Sequence, residues 1–198
     1  MFLLIAAGLV VGVAFFLDAP AQAWISGHQN HALKSLMQKV STFGDWPEHV
    51  VVGAILVALA TWRGSRKWQR VFLAMLLACA LAGVVARVIK ISTGRARPAV
   101  KTESVWSGPR LSSKYNAFPS GHTAASTAFF ATLAFASWRI GAPFLLVPLL
   151  IAFSRMYVAA HYLSDVVCAS LLGVGCAFVT VYWLLSFDDD EVATTSSD

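Results

Sequence analysis

Apolar runs recur six times along this chain, at about 1–17, 46–62, 71–91, 121–138, 142–158 and 166–186, and nothing else in the sequence limits its fold as strongly. A membrane-spanning helix takes about 20 mostly apolar residues, so six of them take roughly 120 of the 198 and leave only short connections. A second folded domain of any size is excluded. Composition agrees: 58% of residues are hydrophobic and 13% charged, against about 45–50% and about 25% in soluble domains. The expected fold class is an all-α polytopic membrane protein, six transmembrane helices in a bundle plus an interfacial amphipathic helix. One membrane domain is expected over 1–187, with an acidic, disordered tail over 188–198, where Asp188, Asp189, Asp190 and Glu191 precede Ser and Thr. The net charge of +5 does not point to nucleic acid, because the basic residues collect between the apolar runs. Cys79, Cys168 and Cys176 are odd in number and lie inside apolar runs, which reads as small core residues and not as a disulfide framework or a zinc site.

Asp18–Ala23 follows the first apolar run and imitates a signal-peptidase site, yet no basic residue precedes that run, so it reads as a retained first span. Within 24–47, Leu33, Leu36, Met37, Val40 and Phe43 recur at helical spacing between His31, Lys34, Gln38 and Lys39; this segment is the expected interfacial helix. Trp62–Arg70 carries Arg63, Arg66, Lys67 and Arg70, four cations in nine positions, and is expected to face the cytoplasm. Both termini then face the cytoplasm too, and 92–120 faces outward. That outer segment also holds Arg95, Arg97, Lys101, Arg110 and Lys114, so the orientation rests on some of those cations belonging to a binding site. The expected location is the inner (cytoplasmic) membrane, multi-pass, with the site on the periplasmic or extracellular side.

Ionisable residues at the ends of spanning helices are costly and are usually kept for function. Lys90 ends the third apolar run and Arg97-Pro98 follows; Pro119, Ser120, Gly121 and His122 open the fourth; Ser154 and Arg155 close the fifth; His161 and Asp165 precede the sixth. Alternating topology puts all four of those ends at one membrane face. The residue types suit phosphate. Arginine offers paired donors to phosphate oxygens and lysine a compact charge, so Lys90, Arg97 and Arg155 can surround a phosphoryl group. Ser120-Gly121 lies at a helix N-terminus, where backbone N–H groups bind anions. His161 and Asp165 are four apart, so the carboxylate can hold one ring nitrogen and leave the other as a nucleophile. His122 remains to protonate a leaving oxygen. Neither a metal nor a cofactor is expected, the fixed cations supplying the positive charge.

Lys90-x6-Arg97-Pro98, Pro119-Ser120-Gly121-His122 and Ser154-Arg155-x5-His161-x3-Asp165 resemble the three-part signature of the type 2 phosphatidic acid phosphatase superfamily, and all eleven signature positions match in order and spacing. The resemblance implies a membrane phosphatase acting on a lipid phosphate or lipid pyrophosphate. It implies that His161 becomes phosphohistidine, that Asp165 orients it and that His122 protonates the leaving group. Lys90, Arg97, Arg155, Ser120 and Gly121 would hold the phosphate, at an extracytoplasmic site. Arg87, outside the signature, reads as a snorkelling cation; Arg95, two residues before Arg97, is left without a role. Two other readings stay open at this level: a non-catalytic binder or transporter of anionic lipids, and an enzyme like the vanadium haloperoxidases. Tail length, headgroup and oligomeric state have no signal in the sequence.

Overall fold

The computed structural model describes residues 1–100 and 102–185, and within them the regular structure is helical, with one isolated β-bridge between Arg95 and Trp106. α1 (Phe2–Phe16) and α2 (Asp18–Gly27) meet at a bend of 50°. α3 (His31–Phe43) starts where the Asn30 side chain accepts from Leu33 N at 2.7 Å, an N-cap that satisfies one of the helix's free donors. α4 (Trp46–Trp62) starts where Asp45 accepts from Trp46 N at 2.9 Å and Pro47 occupies the first turn, so the chain turns by 54° between α3 and α4. α5 (Arg66–Thr93), α6 (Gly121–Ala136), the short α7 (Trp138–Gly141), α8 (Leu146–Tyr157) and α9 (Leu163–Leu185) complete the order.

The apolar runs read from sequence coincide with α1, α4, α5, α6, α8 and α9. By length and composition three segments among the described residues suffice to cross a membrane, α5, Trp138–Tyr157 and α9, or up to five if each bent pair counts as one span. α6 is not among them: its 16 residues rise only about 24 Å, short of an apolar core about 30 Å thick. The boundary at 187 and the acidic tail lie outside the described residues. One boundary differs from expectation. Arg66, Lys67 and Arg70 belong to the first turns of α5 and not to a loop, because Ser65 is already extended and the residues after it are good helix formers.

α6 is the axis of the bundle, buried around nearly its whole circumference and packed against α5, α9 and α8. Small side chains make this possible. Ala78, Ala82 and Ala86 of α5 recur every four residues and meet Ala124 and Ala128 of α6 and Ala169 and Cys176 of α9. Gly173 lets α9 close on α6: a methyl group there would lie 2.7 Å from the Ala124 carbonyl oxygen. Large apolar side chains of α1, α4, α8 and α9, among them Leu3, Val51, Leu149 and Phe178, point outward, as suits helices surrounded by lipid. Cys79 and Cys176 are buried free thiols and Cys168 is half-buried.

Candidate active site

Four helix ends meet at one end of the bundle. Lys90 occupies the last turn of α5, which stops at Gly94 with φ +57°. That glycine is required twice over, by the left-handed conformation and because a Cβ there would lie 1.8 Å from the Gly108 carbonyl oxygen. The following loop folds back on itself: Ala96 N donates to Val105 O at 2.8 Å, Arg97 N to Lys114 O at 3.0 Å and Ala117 N to Arg95 O at 3.0 Å. Ser120 then caps α6, and its own N–H donates to the Asp165 carbonyl at 3.1 Å, tying the start of α6 to the start of α9. A Cβ on Gly121 would lie 3.5 Å from Lys90 Nζ, so this backbone faces the lysine closely.

The turn after α8 places the histidine. Ala159 takes φ +55°, and the N–H groups of Ala160 and His161 both donate to the Arg155 carbonyl, at 3.1 and 3.2 Å. His161 therefore sits directly over the end of α8, and it precedes α9 instead of belonging to it. The four-residue spacing to Asp165 therefore runs across the turn before α9 and not along one helix. Asp165 lies in the first turn of α9, its Oδ2 accepts from Tyr162 N at 2.8 Å, and the same oxygen is 3.5 Å from His161 Nδ1. No other polar atom among the described residues partners that nitrogen. His161 is 1% exposed, and burial pushes its imidazole down to about 4 while hydrogen bonding to Asp165 and the carboxylate's charge oppose the shift.

All eight residues expected from sequence gather here. Lys90 feels the charges of Arg97, Arg155 and Asp165, and His122 those of Arg155, His161 and Lys90. Arg155 Nη1 donates to Ser41 Oγ, while the buried Nε atoms of Arg97 and Arg155 have no partner among the described residues. Unpaired guanidinium N–H groups turned inward suit an anion with several acceptor oxygens. Among the described residues no three His, Cys, Asp or Glu side chains are grouped as metal ligands. A cavity of about 670 Å³ leads away from His122, Gly121 and Lys90 between α4 and α5, walled by Val50, Gly83 and Val84. Arg87, read as a snorkelling cation, is exposed and lines this cavity.

Four contributors went unread in the sequence. Ser41 and Asp45, from α3 and the α3–α4 turn, reach Arg155 and His122, the latter with Asp45 Oδ1 3.8 Å from His122 Nε2. Arg95 and Asp18 are buried beside Asp165. Asp18, the first charge after an uncharged run of 17 residues, was the available signal, hidden by its likeness to the edge of a cleavage site.

The family model described as the PAP2 superfamily matches residues 71–188. The chain belongs to the PAP2 superfamily. Among curated relatives, it is 32% identical over 104 residues to a lipid A 1-phosphatase of Rhizobium johnstonii, covering 50% of this chain and 41% of that protein. The chain thus spans about two fifths of the length of the lipid A 1-phosphatases it matches. With the undecaprenyl-diphosphatase BcrC of Bacillus subtilis it shares 27% identity over 153 residues, 77% of this chain and 75% of that one. Its fold is similar to that of a PAP2 type phosphatidylglycerolphosphate phosphatase from Bacillus subtilis, with TM-score 0.69 and 19% identity over 96% of this chain and 98% of that one. Aquifex aeolicus LpxE superimposes with TM-score 0.59 and 22% identity over 83% of this chain and 94% of that one. PAP2 membership and the resemblance read from the three sequence blocks agree.

Proposed function

We propose that this chain is an integral membrane phosphatase that removes phosphate from a lipid phosphate or lipid pyrophosphate through a phosphohistidine. The observation that carries the reading is the convergence of Lys90, Arg97, Arg155, His122 and the His161–Asp165 pair beside an apolar-walled cavity between α4 and α5. A pocket for the anion alone needs the cations; the oriented imidazole and the second histidine are what turnover adds. The phosphatase names of its relatives support the same reading.

In this mechanism the lone pair of His161 Nε2 attacks phosphorus, forming an N–P bond, while Asp165 holds Nδ1. The P–O bond to the lipid breaks, and a ring proton of His122 passes to the departing oxygen. Water then attacks phosphorus, His122 takes its proton, and the N–P bond electrons return to His161 as inorganic phosphate leaves. Lys90, Arg97, Arg155 and the backbone N–H groups at Ser120-Gly121 stabilise the charge on the five-coordinate phosphoryl group, so turnover is expected to persist in EDTA.

Six spans, α1, α4, α5, α6, α8 and α9, complete the proposed topology, with α3 lying in the interface beside the site. The cations of α5's first turns are at the opposite end of the bundle from Lys90, which supports a cytoplasmic position for them, an extracytoplasmic site and cytoplasmic termini. Phosphate release from undecaprenyl pyrophosphate, phosphatidylglycerophosphate, phosphatidic acid and lipid A 1-phosphate by the purified protein tests the activity; no release from any of them returns the chain to a lipid-binding role. Cysteines at Ser112 and Ser65, in a chain lacking Cys79, Cys168 and Cys176, test the sidedness. In intact cells whose outer membrane, if any, has been opened, an impermeant thiol reagent should label the first and spare the second.

A further inference from the structure

Behind the nucleophile lies a chain of buried charges that the three sequence blocks do not include. Arg95 is 4% exposed. Its Nη1 donates to Asp165 Oδ1 at 2.5 Å and to Ser164 Oγ at 2.7 Å, and its Nη2 donates to Asp18 Oδ2 at 2.6 Å. Asp18 is itself held, Oδ1 accepting from Ser164 N at 2.8 Å and Oδ2 from Ser164 Oγ at 2.6 Å. The guanidinium carbon lies 4.3 Å from the ring centre of Tyr162, 4.9 Å from that of Trp106 and 5.3 Å from that of Phe15. One arginine thus joins the end of α1, the start of α2, the loop after α5 and the first turn of α9, with aromatic faces around it.

We propose that Arg95 and Asp18 are positioning residues for the nucleophile: Arg95 fixes the Asp165 carboxylate against His161, and Asp18 offsets Arg95 so that Asp165 still acts as an anion. This rests on the reading of His161 as the nucleophile. Three charges buried together are an expensive way to tie helices, since apolar side chains of similar size pack as well or better. What the ions provide is direction and sign. The fork of Arg95 locks Asp165 Oδ1, and Tyr162 N holds Oδ2 from the other side, which leaves that oxygen facing His161 Nδ1. Arg95 alone would cancel the charge of Asp165; with Asp18 the trio carries one net negative charge. That charge matters when His161 gains a phosphoryl group and its ring becomes cationic. The phosphate itself is held on the other side, by Lys90, Arg97 and Arg155, so the effect belongs to the chemical step and not to binding.

The test uses full-length protein in detergent and whichever of the four lipids it hydrolyses fastest. Asp18→Asn is expected to lower kcat about tenfold with KM within about twofold, and Arg95→Lys, whose single ammonium cannot span both carboxylates, to do the same. Because Asp18 acts through Arg95, Asp18→Asn added to Arg95→Met should slow the enzyme no further than Arg95→Met alone. Should Asp18→Asn fail to fold, Arg95→Lys decides by the same kcat against KM split. Unchanged kcat in either folded variant, additive losses in the double variant, or a failure of both single variants to fold would overturn the proposal and reduce the cluster to a structural tie. His161→Ala runs in parallel. If it keeps turnover, the nucleophile assignment has failed; if it is inactive while Asp18→Asn is unaltered, only the present proposal has.

Discussion

Four cations at the start of α5 and the four that gather nearest His161 are treated in opposite ways. At the start of α5, Arg63, Arg66, Lys67 and Arg70 are all exposed. At its far end Lys90, Arg97 and Arg155 are partly or largely shielded and Arg95 is buried, each drawn toward a helix terminus, a carboxylate or a histidine. A cation in water is a solvated charge that a membrane sorts by side; a shielded one has lost water and must be compensated by another charge or by a ligand. Proximity to His161 and Asp165 therefore separates the two groups more sharply than charge does.

That contrast is open to direct challenge. The largest expected effect is at the proposed nucleophile, where His161→Ala should lower turnover by at least about a thousandfold, measured as phosphate release, because it removes the atom proposed to form the N–P bond. Vanadate binding should weaken far less than turnover, since the cations persist. Next come the cations themselves. Arg155→Ala should reduce kcat/KM by about a hundredfold, the usual scale for removing one preorganised donor from a developing anion. Arg66→Ala and Lys67→Ala, at the other end, should leave the detergent-purified enzyme within about twofold of the parent. Equal losses at both ends would mean that charge acts here through folding or lipid association and not through a site.

How much of this was legible depended on how far apart the partners are in sequence. The apolar helices were visible because hydrophobicity is a local property, and the ends of α4, Trp46 and Trp62, match the apolar run residue for residue. The eight site residues were visible because they stand within short blocks whose spacing is itself a pattern. Asp18 and Arg95 were not, because their meaning comes from an ion pair between residues 77 apart and from a loop that folds back through the Arg95–Trp106 bridge. Ser41 is further still from its partner Arg155, 114 residues away, and nothing in its own neighbourhood signals that contact. α6 ends at Ala136, just inside the apolar run of about 121–138: alanines, serines and threonines mark its close packing, but how deep a 16-residue helix sits is fixed by its neighbours.

The smallest expected effect concerns the acid side of the pH profile, and it separates the two histidines. In the proposed mechanism His161 attacks in its neutral form, and burial holds its pKa at about 4, below the 6.5 of a free imidazole. The sign follows directly: the neutral fraction falls only as pH drops through the lower value, so between pH 7.5 and 6 the supply of nucleophile should change by less than about a tenth. An unperturbed imidazole would lose roughly three quarters of its neutral form by pH 6. In the parent enzyme this flat limb is mixed with the protonation of His122, which the leaving group requires. An aryl phosphate with a good leaving group removes that requirement, and His122→Ala removes the second histidine. The shift of His161 comes from its burial, Asp165, Lys90 and Arg155, and that substitution replaces none of these side chains. First-turnover release of p-nitrophenol by His122→Ala, a step that precedes the use of that histidine as the base for water, should therefore be nearly level from pH 7.5 to 6, after correction for the substrate's own ionisation. A fall of fourfold over that interval would place His161 in water, and with it would go the picture of a dry nucleophile facing shielded cations.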